Sequence, residues 1–181
     1  MKKAAFLDRD GVINQKAPEG DYITRWEEVK FLPGVVEAIA KLNRAGFLVI
    51  IISNQRCVAK GLISISELEA LHRRMCEWLA DRGGVIDAVY YCPHEKTEPP
   101  CDCRKPGPGM LLQAAREHQI DMANSWMIGD SESDVEAGRR AGCNTLRIQP
   151  ANREADQKAN LRAPSLLEAV PQILRVQVSL V

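Results

Sequence analysis

The sequence predicts an α/β fold: a three-layer, doubly wound parallel sheet with helices on both faces. Three observations predict it. Short apolar runs alternate with amphipathic segments along the 181 residues, the pattern of chained βαβ units. The strongest run, Phe47 to Ile52, is apolar at every position, as a central strand covered on both faces must be. Acids and a hydroxyl recur just after the runs, where open parallel sheets bind ligands.

The elements follow in order. Lys3 to Leu7 is a short apolar run and reads as a buried strand. Pro33-Gly34 opens a helix through Val35, Val36, Ala38, Ile39 and Leu42 that stops at Gly46, on the 3.6-residue period of a core-facing helix. After the central strand, Ser66 with Glu69 forms a capping box for a helix whose apolar face is Leu68, Leu71, Met75, Trp78 and Leu79, ended by Gly83-Gly84. Val85 to Tyr91 reads as a strand, Met110 to His118 as a helix, and Ser125 to Gly129 as a short strand. Asp134 to Ala141 is a helix ended by Gly142, and Cys143 to Ile148 a strand. Residues 151–164 read as an exposed loop. Ser165 then caps a helix through Leu166, Leu167, Val170 and Ile173, and the tail 176–181 is expected to fray or pair as an edge strand.

Charge and composition narrow the function. Lys and Arg total 24, as do Asp and Glu, so the formal net charge is zero. That argues against a broad basic face for nucleic acid and against a polybasic membrane surface. No run reaches the roughly 18 apolar residues of a membrane span, and the apolar run before Asp8 is too short for a signal-peptide core. The expectation is a cytoplasmic protein, monomeric because no apolar heptad is visible. Cysteines stay reduced in that compartment and tend to bind metal.

Three strand ends carry chemistry. The first gives Asp8-Arg9-Asp10-Gly11-Val12, the second Ser53-Asn54-Gln55, and the strand at Met127-Ile128 gives Gly129-Asp130 with Asp134 beyond. On one edge of a parallel sheet these acids converge. Packed carboxylates repel unless a cation sits among them, and oxygen ligands favour Mg²⁺, which pairs with substrate phosphates. Arg104-Lys105-Pro106 adds cations before a helix. Each motif alone is commonplace as a turn or a solvated pair. Their ordered occurrence at strand ends is not, and it points to phosphoryl transfer.

These residues resemble the haloacid dehalogenase (HAD) superfamily of phosphatases: Asp8-Arg9-Asp10-Gly11-Val12-Ile13-Asn14 its first motif, Ser53-Asn54-Gln55 its second, Lys105 its third, and Gly129-Asp130 with Asp134 its fourth. Tyr90-Tyr91-Cys92-Pro93-His94, Cys101-Asp102-Cys103-Arg104-Lys105-Pro106 and Pro108-Gly109-Met110 are similar to its heptose-bisphosphate and histidinol-phosphate phosphatase branch. The resemblance spans roughly residues 4–175 and implies a Rossmann-like core. Many members of the superfamily insert a cap domain, but here a loop, a helix and a strand account for Gly11 to Ile52, and one helix, one strand and the cysteine–histidine loop for Asn54 to Lys105, so no separate cap fits. The resemblance implies Asp8 as nucleophile and Asp10 as general acid and base, the crowded acids helping Asp10 keep a proton. It implies Ser53 and Lys105 on the transferring oxygens. Mg²⁺ would be held by Asp8, the Asp10 backbone carbonyl and Asp130, with Asp134 in support. Gly20, Asp21, Tyr22, Asn54, Gln55, Arg56 and Arg104 are the expected substrate contacts. Two positions depart from the branch: Arg56-Cys57 where Ser-Gly is usual, and Ser131 where Lys is frequent.

Cys92, His94, Cys101 and Cys103 fall within twelve positions in a stretch holding five prolines from Cys92 to Gly109. Such a segment has little apolar surface to bury. Thiolate and imidazole donors in this number suit a closed tetrahedral Zn²⁺ site, which is structural. A zinc loop over 92–105 would brace Arg104 and Lys105. Cys57, Cys76 and Cys143 lie outside it, the last two on apolar elements as core thiols. His72 reads as a packing or surface residue. The function expected is hydrolysis of a small phosphorylated metabolite, most closely a heptose bisphosphate, with histidinol phosphate or a nucleic-acid 3′-phosphate as alternatives. A non-enzymatic phosphate-binding module is disfavoured because both a nucleophile and an acid are kept.

Overall fold

The computed structural model describes residues 1–96, 101–150, 152 and 158–178. Its strands are β1 (Lys3–Leu7), β2 (Phe47–Asn54), β3 (Ala88–Cys92), β4 (Trp126–Gly129), β5 (Asn144–Ile148) and β6 (Leu161–Ala163). The helices are α1 (Val35–Arg44), α2 (Ile65–Ala80), α3 (Gly109–His118), α4 (Glu132–Ala141) and α5 (Leu166–Val178). The sheet has the order β3-β2-β1-β4-β5-β6, and every pairing is parallel. The chain winds outward from β1 through β2 and β3, then returns to place β4 on the other side of β1. The crossover direction therefore reverses between β1 and β4, the crevice where such sheets bind ligands.

The two faces follow from the period-2 alternation of strand side chains. Ala5 and Leu7 of β1 and Val49 and Ile51 of β2 join a core closed by α1, α2 and α5. Ala4 and Phe6 of β1 and Ile50 and Ile52 of β2 join the opposite core, closed by α3 and α4. All eight side chains are 0% exposed, which is why β1 and β2 are apolar without alternation. Among the described residues, each interval between strands from β1 to β5 holds one α-helix, which gives the sheet its three layers.

Several boundaries differ from the sequence reading. Helix α2 is capped by Ser64, whose Oγ accepts from Glu67 N at 3.2 Å while Glu67 Oε2 accepts from Ser64 N at 2.8 Å. The sequence holds two overlapping Ser-x-x-Glu boxes, and Glu69 of the second instead accepts from the Tyr91 hydroxyl. Strand β3 starts at Ala88 rather than Val85. The Asn43 side chain takes both backbone groups of Val85, and the Asp87 carboxylate accepts from Val49 N at 2.7 Å. Helix α4 begins at Glu132, two residues before Asp134. The loop expected over 151–164 contains β6, which lies beside β5, with Asn160 Oδ1 accepting from Thr145 N and Oγ1; residues 151 and 153–157 lie outside the described residues. The tail expected to fray from Val176 continues α5 to Val178, and residues 179–181 lie outside the description. Cys143 is buried, whereas Cys76 is only partly so.

Candidate active site

Asp8 follows β1 directly and Asp130 follows β4 directly, so the β1–β4 pairing brings both acids to the switch point. Ligand atoms of Asp8, Asp130 and Asp134 lie within 4.8 Å of one another. Lys105 reaches them from the loop before α3. Its Nζ lies 2.8 Å from Asp8 Oδ1, 2.6 Å from Asp134 Oδ1 and 2.7 Å from the carbonyl of Ile52. Three acceptors use all three ammonium protons. Burial pulls the Lys105 pKa down, but Asp134 and Asp8 outweigh it and hold the ammonium above its usual range.

Asp134 has a second task. Its Oδ2 accepts from Ser131 N at 3.0 Å and Ser131 Oγ at 2.6 Å, the reciprocal half of the α4 capping box. Ser131, one of the two departures from the branch pattern, is therefore the N-cap of the helix that presents Asp134. Burial raises the Asp134 pKa, and Lys105 with Ser131 more than reverses this. Asp134 is placed to orient Lys105. Asp8 is pushed up to about 7 by burial and by Asp134, with Lys105 opposing.

A cation fits this cluster on two observations. Asp130 Oδ1 is buried with no hydrogen-bond partner among the described residues, a costly state for a carboxylate oxygen. Its Oδ2 draws the ammonium of Lys16 to 2.6 Å, so a positive charge already sits there. Gly11, at φ 93°, leaves the room that this carboxylate needs, since a Cβ would run into it. An all-oxygen donor set suits Mg²⁺.

Asp10 is held differently from the sequence reading. Arg9 meets it with Nε and Nη2, Asn14 Nδ2 donates at 2.9 Å, and Gln55 Nε2 donates at 3.2 Å. Burial alone raises its pKa, but the Arg9 charge and these donors bring it below the carboxylate range. Crowding by acids does not keep a proton on Asp10, because its nearest charge is a guanidinium. Sequence reasoning gave Arg9, Asn14 and His72 no site role; nothing in the local pattern shows that they meet around Asp10.

The second strand end is turned inward. Ser53 is 1% exposed and Gln55 2%. Gln55 Nε2 donates to Ser53 Oγ at 2.7 Å, which leaves the hydroxyl proton free. Asn54 clamps the backbone of Lys105, donating to its carbonyl and accepting from its N–H, both at 3.1 Å. Asn54 and Gln55, expected against substrate, thus spend their amides positioning Lys105, Ser53 and Asp10. Arg56 pairs with Glu95, and Arg104 Nη1 donates to the carbonyl of His94 at 3.3 Å. Asp21 and Tyr22 line a cavity of about 730 Å³ with Lys16, Glu27 and Lys30. The Lys60 ammonium stands 5.0 Å from the Tyr22 ring centre, and Gly20 turns at φ 91°.

Beside this edge, the cysteine–histidine loop is gathered. Cys92 Sγ lies 3.6 Å from both His94 Nδ1 and Cys101 Sγ, Cys103 Sγ lies 3.5 Å from Cys101 Sγ, and His94 Nδ1 lies 3.2 Å from Cys103 Sγ. A tetrahedron with metal–sulfur bonds near 2.3 Å has edges of about 3.7 Å, and disulfides need about 2.05 Å. The spacing fits one metal ion and no disulfide. Burial opposes ionisation of Cys101, yet its neighbours Cys103, Cys92 and His94 and the backbone of Arg104 draw it down to about 7.

Residues 102–169 match a family model described as HAD-hydrolase-like. The chain is 44% identical over 154 residues to the D-glycero-beta-D-manno-heptose-1,7-bisphosphate 7-phosphatase of Rhodopseudomonas palustris, covering 82% of this chain and 84% of that one. The Pasteurella multocida protein of the same name is 38% identical over 184 residues, covering 97% and 98%. Among solved structures, D,D-heptose 1,7-bisphosphate phosphatase from B. bronchiseptica, complexed with magnesium and phosphate, is similar with a TM-score of 0.85 at 35% identity, covering 96% and 99%.

Proposed function

The chain belongs to the HAD-type heptose-1,7-bisphosphate 7-phosphatases, and from that premise we propose that it hydrolyses the 7-phosphate of D-glycero-D-manno-heptose 1,7-bisphosphate through an aspartyl-phosphate. The observation that carries this reading is Asp8 at the β1 end, gripped by Lys105 and facing Asp130 across the switch point. Such an arrangement offers a nucleophile, a fixed cation and a metal edge at one place.

Asp8 attacks phosphorus as the bond to the sugar oxygen breaks. Asp10 delivers a proton to that oxygen, and then takes one from the water that cleaves the aspartyl-phosphate. Arg9 keeps Asp10 ionised in the free site; an arriving phosphate dianion raises its proton affinity by like-charge repulsion, so Asp10 takes up a proton from solvent water as substrate binds and delivers that proton to the leaving oxygen. Ser53 donates its free hydroxyl proton to a phosphoryl oxygen. Lys105 has no spare proton, so it acts through charge or exchanges the Ile52 carbonyl for a phosphoryl oxygen. Mg²⁺, held by Asp8, the Asp10 carbonyl and Asp130, would shield the phosphate charge from Asp8. The open edge, flanked by the Gly20–Tyr22 turn, Arg56 and Arg104, suits a small sugar bisphosphate. Zn²⁺ on Cys92, His94, Cys101 and Cys103 would brace the loop that ends in Arg104 and Lys105.

Rates on a panel of phosphate esters with Mg²⁺ test the substrate. The heptose bisphosphate should exceed histidinol phosphate and nucleic-acid 3′-phosphates in kcat/KM by at least about 100-fold. A higher value for histidinol phosphate would reassign the substrate while leaving the chemistry in place.

A further inference from the structure

Arg9 sits between the two acids of the first motif and is 1% exposed. Its Nε lies 3.2 Å from both Asp10 carboxylate oxygens, and Nη2 lies 3.1 Å from Oδ1 and 3.0 Å from Oδ2. On the far side of the guanidinium, Nη1 lies 3.1 Å from His72 Nε2. His72 comes from the middle of α2 and is 4% exposed. A guanidinium only donates, so Nε2 accepts and the imidazole proton resides on Nδ1. That Nδ1 has no hydrogen-bond partner among the described residues. Neighbouring positions on this buried face of α2 are Leu68, Leu71 and Met75, so an apolar side chain would pack there without the unpaired Nδ1–H, but it would leave Arg9 Nη1 without its acceptor. Its ring lies 5.6 Å from the Tyr91 ring centre, but among the described residues the hydrogen bond that the imidazole makes is the one it accepts from Arg9.

We propose that His72 and Arg9 form a buried positioning pair for the reaction: His72 fixes the plane of the guanidinium, and Arg9 fixes the Asp10 carboxylate for proton transfer. The geometry gives the pair this role because the guanidinium is planar. Its Nε and Nη2 edge faces the carboxylate and its Nη1 is held from behind, so rotation of the fork is blocked at both ends. Neither side chain is placed to meet the phosphate; the Arg9 main-chain N–H donates to Asp8 Oδ1 at 2.8 Å, a contact that side-chain variants leave in place. Both act through Asp10, where an offset of a fraction of an ångström matters to proton transfer.

The inference rests on Asp10 being the acid and base, and the test separates the two. The measurement is single-turnover cleavage, with Mg²⁺, of two esters: an alkyl or sugar phosphate, whose oxygen leaves only with a proton, and p-nitrophenyl phosphate, whose phenolate leaves without one. His72→Leu should slow the first by about 10- to 100-fold and the second by less than about threefold, with KM little changed. His72→Gln, whose amide oxygen can accept from Nη1, should keep most of the rate. Arg9→Lys, which keeps the charge and loses the fork, should repeat the selective loss, and carries the test if His72→Leu does not fold. Equal losses on both esters, or no loss on either, would overturn the proposal. Asp10→Asn serves as the control: with no leaving-group selectivity there, the acid–base reading falls and this inference with it. With selectivity there and none in the His72 and Arg9 variants, only this inference falls.

Discussion

At the residue scale, the site is a balance of buried charge. Lys105 stands between Asp8 and Asp134 and satisfies both. Replacing it with methionine keeps the stem's volume and strands two carboxylates. Lys105→Met should cost about 3 kcal/mol of stability, read from denaturant midpoints, and remove turnover. Asp8→Asn should lower turnover at least about 1,000-fold while the fold and Mg²⁺-dependent phosphate binding persist; substantial residual hydrolysis would remove Asp8 from the nucleophile's role. The motif residues were legible in the sequence because each follows an apolar strand. Arg9 and His72 were not, because they are 63 positions apart and a lone histidine on an amphipathic helix looks like any packing residue.

At the element scale, capping distinguishes two sequence boxes that look alike. Ser64→Ala removes the cap that α2 uses and should cost about 1 kcal/mol, whereas Ser66→Ala should stay within about 0.5 kcal/mol. Thermal unfolding of the two variants gives the comparison. Helix α4 shows why such a cap matters here: Ser131 caps with the same Asp134 that pairs Lys105. The apolar face of α4 begins at Val135, so periodicity marks a helix from about Asp134, while the polar first turn from Glu132 carries no such signal. Strand β6 escaped because three residues, Leu161 to Ala163, are too few for any periodicity. Its place is set by β5 and by Asn160 reaching Thr145. The cysteine–histidine loop was legible from composition, and the clustered donor atoms suit one metal. Elemental analysis of fresh protein should give about one zinc per chain, and chelation should raise protease sensitivity over residues 92–105.

At the scale of the whole molecule, buried titratable groups set the response to acid. Burial, reinforced by the Arg9 charge, brings the His72 pKa from 6.5 to about 3, with Asp10 pulling the other way. The unfolded chain takes up a proton below pH 6.5 that the folded chain refuses, so stability falls as pH drops from there toward 3. By pH 5.5 this group alone should cost about 1–2 kcal/mol. His72→Gln should flatten that part of the stability-against-pH curve while leaving the slope above pH 7 unchanged, as measured by urea unfolding at stepped pH. An unchanged acid limb would mean that His72 does not carry this cost.

The sequence by itself determined the α/β class, the central strands, the ordered acids and Lys105 at the strand ends, and the metal-suited loop. These are local signals: apolar runs too continuous for a half-exposed sheet, and donors too clustered for chance. Only the tertiary structure decided what each side chain does once there. It gave Asn54 and Gln55, expected against substrate, hydrogen bonds to Lys105, Ser53 and Asp10. It gave Asp134 both a helix cap and an ion pair, and it held Asp10 as a carboxylate through Arg9. The reason is physical: hydrogen bonds and charge balance depend on which groups meet across the switch point. Strand order and helix packing set those meetings, and no window of sequence contains them.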